Sequence, residues 1–589
     1  MYEYPSYHNY DPDPRIPITG MKGQTAVGEE ALKNALLQAI AAGKSRILLE
    51  LYPGIEESRV TALVREVSET LVQIGKAPIV ILESRTAKKS EETLKRQYEN
   101  FITDDRVFGV ICHEELKNCF NAEKLDELKS TAQAAEADRR VVVAIGTGAA
   151  YILPDADSIW YFDITRWEIQ LRYRKGAGTW MAGVLDSAQL TKYKVGFFIE
   201  WRMADRLKKA LMPRIDYWID GNVPENPVVV TRDAFMAALD QTANKPFRMQ
   251  AYYDPSVWGG QWMKRTFGLS EEQKNYGWSF DGVPEENCLK FDFGDACAVF
   301  PAIDLVLFRP ETLLGVHVYG RFGAEFPIRF DFLDTMEGGN LSLQVHPLTE
   351  YIQDRFGMHY TQDESYYILD ADENSCVYLG LKEGVDKEAF RAALIEAQKG
   401  EEPFDDARFV NCFPVKKHDH VLIPAGTVHC SGKNTVVLEI SATPYIFTFK
   451  LWDWGRIGLD GRPRPIHIDH GMKNVQFDRT TGWVEANLLH QDRVILRDDA
   501  GYAEHTGLHE YEFIETERHT IHGRRVIDVR DSVTVLNLVD GAEAFLESTD
   551  GSFEKTVIHY AETFIVPASV QSFAITSEAP VKVMTARVR

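Results

Sequence analysis

The chain has 589 residues, with 65 Lys and Arg against 88 Asp and Glu, and a net charge of −23. At about 150 residues per domain, that length implies several domains with separate cores. Apolar residues at 44% and charged residues at 26% describe a globular chain, and the acidic balance without a basic block excludes a nucleic-acid backbone as the main partner.

The opening Met1-Tyr-Glu-Tyr-Pro-Ser-Tyr7 has neither a basic n-region nor an apolar h-region, so no signal peptide is expected. Apolar runs such as Arg140–Ile145 are too short to span a bilayer, so no membrane partner is expected either. Cysteines stand at 112, 119, 288, 297, 376, 412 and 430, an odd set without CxxC. Reduced thiols and a cytoplasmic setting follow.

The first half alternates helical and extended patterns. Residues 29–42 read as a helix, Arg46–Leu51 as a strand closed by Tyr52-Pro-Gly54, and 58–74 as a second helix with Val60, Leu63, Val64, Val67 and Leu71 on one face. Residues 77–82, 107–112 and 140–145 read as further strands. This βαβ alternation predicts a mostly parallel sheet in a first domain over 1–246. From about residue 247 short strands, turns and aromatics take over, at 366–369, 421–423, 435–440 and 445–449. A helical insert is expected near 385–400. Strands at 534–539 and 563–566 follow, which divides the β part into 247–483 and 484–589.

Gly43-Lys44-Ser45 has the ending of a phosphate-binding loop but the wrong context. The first glycine of such a loop would fall at Gln38, and the order is helix–GKS–strand. A helix-ending glycine explains it better. The strand-to-helix turn 50–58 carries Glu56 and Glu57 and no Lys, and two carboxylates repel a triphosphate. Arg166, Arg172 and Arg174 vaguely resemble the lid arginines of nucleoside kinases, although a solvated basic helix face accounts for them. The first domain thus resembles a P-loop nucleoside-kinase fold without its catalytic loop, and no nucleotide cofactor is expected.

The chemistry concentrates later. In Leu341-Ser-Leu-Gln-Val-His-Pro347, Gln344 and His346 share one strand face. Glu364 opens the strand Thr361–Leu369, and Val421-Leu-Ile-Pro-Ala-Gly-Thr-Val-His429 is a PxGxxH turn ending in His429. Two imidazoles, a carboxylate and an amide oxygen suit a borderline divalent ion such as Zn²⁺ and leave room for substrate.

These segments resemble the metal-binding strands of zinc-dependent type I mannose-6-phosphate isomerases, which are cupins. Val257-Trp-Gly-Gly260, Phe326–Asp334, Asp453–Arg456 with Gly461–His467, and Ala561–Ala568 match further motifs of that family in order. The resemblance covers roughly residues 250–589. It implies a double cupin (jelly roll) and one Zn²⁺ per chain held by Gln344, His346, Glu364 and His429. It also implies interconversion of mannose 6-phosphate and fructose 6-phosphate through a cis-enediol, with a small sugar phosphate as partner. Glu439 is the candidate base, Lys450 and Arg456 the candidate catalytic cations, and Ser342 and Gln362 the candidate substrate contacts.

Two departures bear on activity. Gln362 stands where the family has Lys, and Lys450 stands near its expected Arg, although Lys cannot reproduce a bidentate fork. A metal-retaining sugar-binding regulator, or an isomerase of another sugar, is therefore the competing expectation. Residues 484–589 show no comparable ligand set and are expected to form a structural cupin without metal.

Overall fold

The computed structural model of the chain describes residues 2–181, 188–400, 402–442, 445, 447–461, 463–507 and 509–589. They form two units. One is α/β and comprises Arg15–Gln241 with Cys288–Asp304; the other is mainly β and comprises Met1–Pro14, Thr242–Asn287 and Leu305–Arg589.

In the α/β unit, apolar strands buried on both faces favour a parallel sheet covered by helices. Five strands run parallel in the order Val80–Glu83, Val142–Gly146, Arg46–Leu51, Ser158–Asp163 and Tyr217–Asp220. Val228–Thr231 and Thr25–Val27 extend the sheet antiparallel. Helix Glu57–Gln73 buries its apolar face in the same core cluster as Ile47, Leu49 and Val143. Each fully buried side chain there contributes about 1.5–3 kcal/mol. The strand expected over 107–112 does not form. Asp105 accepts the N–H groups of Val107 and Phe108, and Cys112 donates to the Phe198 carbonyl at 2.9 Å, so no ladder is left to join.

The GKS segment ends a helix. Helix Glu29–Ala41 stops where Gly43 takes φ 93°, and Lys44 N–H donates back to the Ala39 carbonyl at 3.0 Å. That backbone favours glycine. Arg174 is exposed as a solvated face implies, but the other two arginines are not. Arg166 is buried, paired with Asp205 at 2.7 Å and placed over the Trp201 ring. Arg172 donates to the carbonyls of Gly54, Gly221 and Asn222. Arg172 thus ties the Tyr52–Gly54 turn to the Gly221–Asn222 loop.

The β unit contains three antiparallel sheets among the described residues. The first runs His420–Ile423, Asp363–Ala371, Thr435–Ala442, Arg329–Asp334, Trp278–Phe280, Tyr252–Asp254. The second runs Val410–Pro414, Cys376–Leu381, His429–Ser431, Leu343–Val345, Phe449–Trp452. The third is built from residues 493–588 around the long strands Ile514–Asp528 and Ser572–Val588 and has its own core. Helix Lys387–Lys399 is the insert, capped by Asp386. The strand expected over 445–449 includes residue 446, and the Gly461–His467 motif includes residue 462; both positions lie outside the described residues.

The units divide the chain differently from simple sequence blocks. Residues 2–14 lie in the β unit: Tyr10 stacks on Phe267 at 3.8 Å, its hydroxyl meets that of Tyr253 at 2.8 Å, and Asp11 N–H donates to Glu562. Residues 288–304 lie in the α/β unit as a hairpin, with Cys288–Asp292 parallel to Ile16–Pro17 and Val299 N–H on Asp220. Residues 484–589 share one unit with 305–483, and Phe247 exchanges backbone bonds with Ile565 at 3.0 and 2.8 Å.

Gly260 shows why the WGG and FP…LD segments occur together. Its N–H donates to the Asp334 carbonyl, and a Cβ there would meet Asp334 Oδ1 at 2.1 Å and Met336 backbone atoms at 2.6 Å. Gly260→Ala is expected to destabilise the chain by about 1–3 kcal/mol through this overpacking. A thermal melt with unchanged midpoint would contradict the contact.

Candidate metal centre and active site

The two-residue period of a strand sets the first pair of candidate ligands. Gln344 and His346 flank Val345, and Gln344 lies opposite both His429 and Lys450 in the ladder. Directly opposed residues share a face. Lys450, Gln344 and His429 therefore form one row, and Glu364 reaches that row from the first sheet. His346 Nε2 lies 2.9 Å from Glu364 Oε2, and His429 Nε2 lies 2.8 Å from Glu364 Oε1. All three side chains are buried, and their candidate ligand atoms lie within 4.8 Å of one another.

Backbone carbonyls select the ring nitrogens. His346 Nδ1–H donates to Phe447 at 2.7 Å, and His429 Nδ1–H donates to Thr427 at 2.9 Å. That leaves both Nε2 lone pairs facing Glu364, an arrangement typical of metal-ligating histidines. The Gln344 amide meets His429 Nε2 at 3.2 Å, and a half-turn of that amide puts its oxygen in the same place. An N₂O donor set with an amide oxygen beside it fits a divalent metal ion.

The turn that delivers His429 is held from outside the motif. Arg479 Nη1 donates to the Pro424 and Ala425 carbonyls and to Thr427 Oγ1 at 2.6–2.8 Å. Asp363 accepts Ala425 N–H at 2.8 Å, and Gly426 N–H donates to the His346 carbonyl at 3.0 Å. One turn thus connects the strands of all three triad residues.

Around the triad the structure brings some candidates together and fastens others elsewhere. Gln362 Nε2 donates to Glu364 at 2.9 Å and reaches Glu439 at 3.5 Å, while its oxygen accepts Phe447 N–H. Glu439 is buried on the same face, opposite Tyr366 and Asp331. Burial, then the charges of Glu364 and Asp331, push its carboxyl well above the usual range. Lys450 is half-buried beside Gln344. Ser342 instead donates to Asp453 at 2.9 Å. Arg456 pairs with Asp453 and donates to the Asn340 carbonyl at 2.7 Å, and Arg464 completes the pairing of Asp453 at 2.6 Å.

Sequence reasoning missed Arg329 and Asp331. Arg329 Nε donates to Asp331 at 2.9 Å, and both are buried on the face of Glu439 and Ser441. Burial pushes Asp331 up to about 7 despite that partner. Their signal was present: alternate charges in the otherwise apolar run Ile328-Arg-Phe-Asp-Phe332.

Three comparisons bear on this arrangement. A sequence-family model described as a domain of unknown function (DUF8485) matches residues 30–244. A mannose-6-phosphate isomerase of Streptococcus mutans is 25% identical over 39% of this chain and 67% of its own length. A mannose-6-phosphate isomerase of Bacillus subtilis is 26% identical over 30% of this chain and 52% of its own length. The matches thus span two thirds and about half of those relatives. The crystal structure of a Bacillus subtilis mannose 6-phosphate isomerase superposes with a TM-score of 0.48 at 18% identity, over 58% of this chain and all of that one. Part of the chain is thus similar to mannose-6-phosphate isomerases, and residues 30–244 match a domain of unknown function, DUF8485.

Proposed function

We propose that the protein is a metal-dependent aldose–ketose isomerase that interconverts mannose 6-phosphate and fructose 6-phosphate through a cis-enediol. The observation that carries this reading is the buried His346–Glu364–His429 triad with Glu439 on the same face. The names of the curated relatives support it. In this reading the β unit is a double cupin holding one Zn²⁺ per chain, with Gln344 as fourth ligand. A bound divalent ion supplies Lewis-acid polarisation of the sugar carbonyl and hydroxyl oxygens.

The chain's own groups supply the rest. Isomerisation moves one proton between C1 and C2 and one between O1 and O2. Glu439 is the group that holds the carbon proton: burial and the charges of Glu364 and Asp331 hold its carboxyl above the usual range, which suits proton exchange with carbon. Gln362, fixed by Phe447 N–H, orients Glu439 and Glu364 against each other. Lys450, in the row of Gln344 and His429, is the cation for the anionic end of the substrate.

The test is a coupled assay with mannose 6-phosphate, with and without chelator. Turnover lost to chelator and restored by Zn²⁺ supports the proposal; no turnover of any hexose phosphate by metal-replete protein refutes it. Lys450→Ala is expected to lower kcat/KM by about a hundredfold, as removal of one electrostatic donor does elsewhere. An unchanged kcat/KM would take the cation role away from Lys450.

The second reading, a sugar-binding regulator that keeps metal without turnover, is favoured by the fastening of Arg456 and Ser342 to Asp453. The α/β unit fits a kinase-like fold without phosphate binding. Glu50, at the end of its central strand, accepts the Gly148 and Ala150 N–H groups at 2.5 and 2.9 Å, and burial pushes it up to about 8. Glu57 stands at the helix start where phosphate would lie. Seven free cysteines suit the cytoplasm, with a sugar phosphate rather than nucleic acid or membrane as partner. Among the described residues no helix is long and apolar enough to cross a membrane.

A further inference from the structure

We infer that the sheet floor beside the metal triad, centred on the Asp331 carboxylate, is a subsite for the uncharged, hydroxyl-bearing part of a sugar or polyol. The ladder places it. Asp331 lies opposite Glu439, Glu439 lies opposite Tyr366, and Tyr366 is two residues beyond Glu364 on one strand. All four side chains therefore share the face that carries the metal triad.

Asp331 is 3% exposed. Its Oδ2 accepts Arg329 Nε at 2.9 Å, while its Oδ1 has no hydrogen-bond partner. Arg329 lies over the Phe280 ring at 4.6 Å, which holds the guanidinium to one side of the carboxylate. A buried carboxylate oxygen without a donor is costly, and native chains keep one where a ligand or water completes it.

The surroundings decide which ligand. Glu439, Glu364 and Glu286 all act on Asp331 or its neighbours as carboxyl groups, against the single guanidinium of Arg329. A phosphate placed here meets several carboxyl groups answered by one guanidinium, and its charge can only add to their mutual repulsion. A second metal ion has no support, since the only cluster of metal-ligating side chains among the described residues is His346, Glu364 and His429. A neutral hydroxyl fits: it donates a charge-assisted bond to Oδ1 and brings no charge. On a sugar whose carbonyl end lies at the triad, the hydroxyl-bearing carbons face this floor. An anionic end is then directed to the other side, where Lys450 stands in the row of Gln344. The choice of a sugar rests on the isomerase reading, whereas binding itself needs no turnover.

The experiment uses the full, metal-replete chain and calorimetric titration with a linear hexitol and, separately, inorganic phosphate. The wild type is expected to bind the hexitol, and Asp331→Asn and Asp331→Leu to weaken it by about tenfold or more, with metal content and phosphate affinity unchanged. Asp331→Asn keeps the side-chain shape, so it decides the matter if the leucine variant does not fold. Equal hexitol affinity in wild type and Asp331→Asn overturns the subsite. So does failure of the wild type to bind the hexitol, or loss of metal from Asp331→Asn. Hexitol binding that depends on Asp331 in a protein without mannose 6-phosphate turnover leaves the subsite standing and removes the isomerase reading. Turnover with Asp331-independent hexitol binding does the reverse.

Discussion

His429→Ala is expected to lower metal affinity by on the order of a hundredfold or more and to abolish turnover. The ring supplies one of three charged or strongly donating ligands, and loss even of a group that only orients a ligand costs about ten- to a hundredfold. Its removal also leaves Glu364 Oε1 without the imidazole 2.8 Å away. Deletion of a ligand couples metal loss to local loosening, because binding free energy contributes to folding. Metal analysis after dialysis against a mild chelator checks this. Full occupancy in the variant would show that Gln344, His346 and Glu364 suffice and that His429 is not a ligand.

The second large effect belongs to the α/β unit. Lys208 Nζ lies 2.8 Å from Asp163 Oδ2 and 2.7 Å from Asp304 Oδ1, and all three side chains are 0–1% exposed. Burial disfavours the ammonium, but the charges of Asp163 and Asp304 outweigh it and raise the Lys208 pKa. Burial, then the neighbouring Asp163 charge, push Asp304 well above the usual carboxylate range. The cluster therefore sets one ammonium against two buried carboxyl groups. Lys208→Met leaves a buried carboxylate without a cation, and removing one partner of such a pair costs about 3–5 kcal/mol. Denaturant unfolding followed by circular dichroism should show that loss. A change below about 1 kcal/mol would mean that the buried cluster does not need its cation.

The physical division between these two clusters explains what was readable beforehand. The histidines of the candidate metal site were legible because their signals are local, and the family resemblance supplied Glu364. Gln344 and His346 share a face by strand period alone, and the PxGxxH turn carries its own geometry to His429. The strands Arg46–Leu51 and Thr563–Val566 and the helix Lys387–Lys399 appear where composition and period place them. The failures involve partners far away in the chain. Residues 107–112 look like a strand, but Asp105 and Phe198 take their backbone donors first. Arg166 and Arg172 look solvated, but loop carbonyls and Asp205 claim them.

Sequence by itself determined the acidic balance, the alternation that makes a parallel sheet and the antiparallel β part, and its family resemblance pointed to His346, Glu364 and His429, which the fold brings together. Tertiary structure alone decided that residues 288–304 complete the α/β unit, that Ser342 and Arg456 serve Asp453, and that Asp331 faces Glu439 with an unfilled oxygen. The reason is range. Period and turn chemistry act within a few residues. A buried charge is settled by whichever opposite group the fold brings within about 3 Å, and no pattern in the chain announces that neighbour in advance.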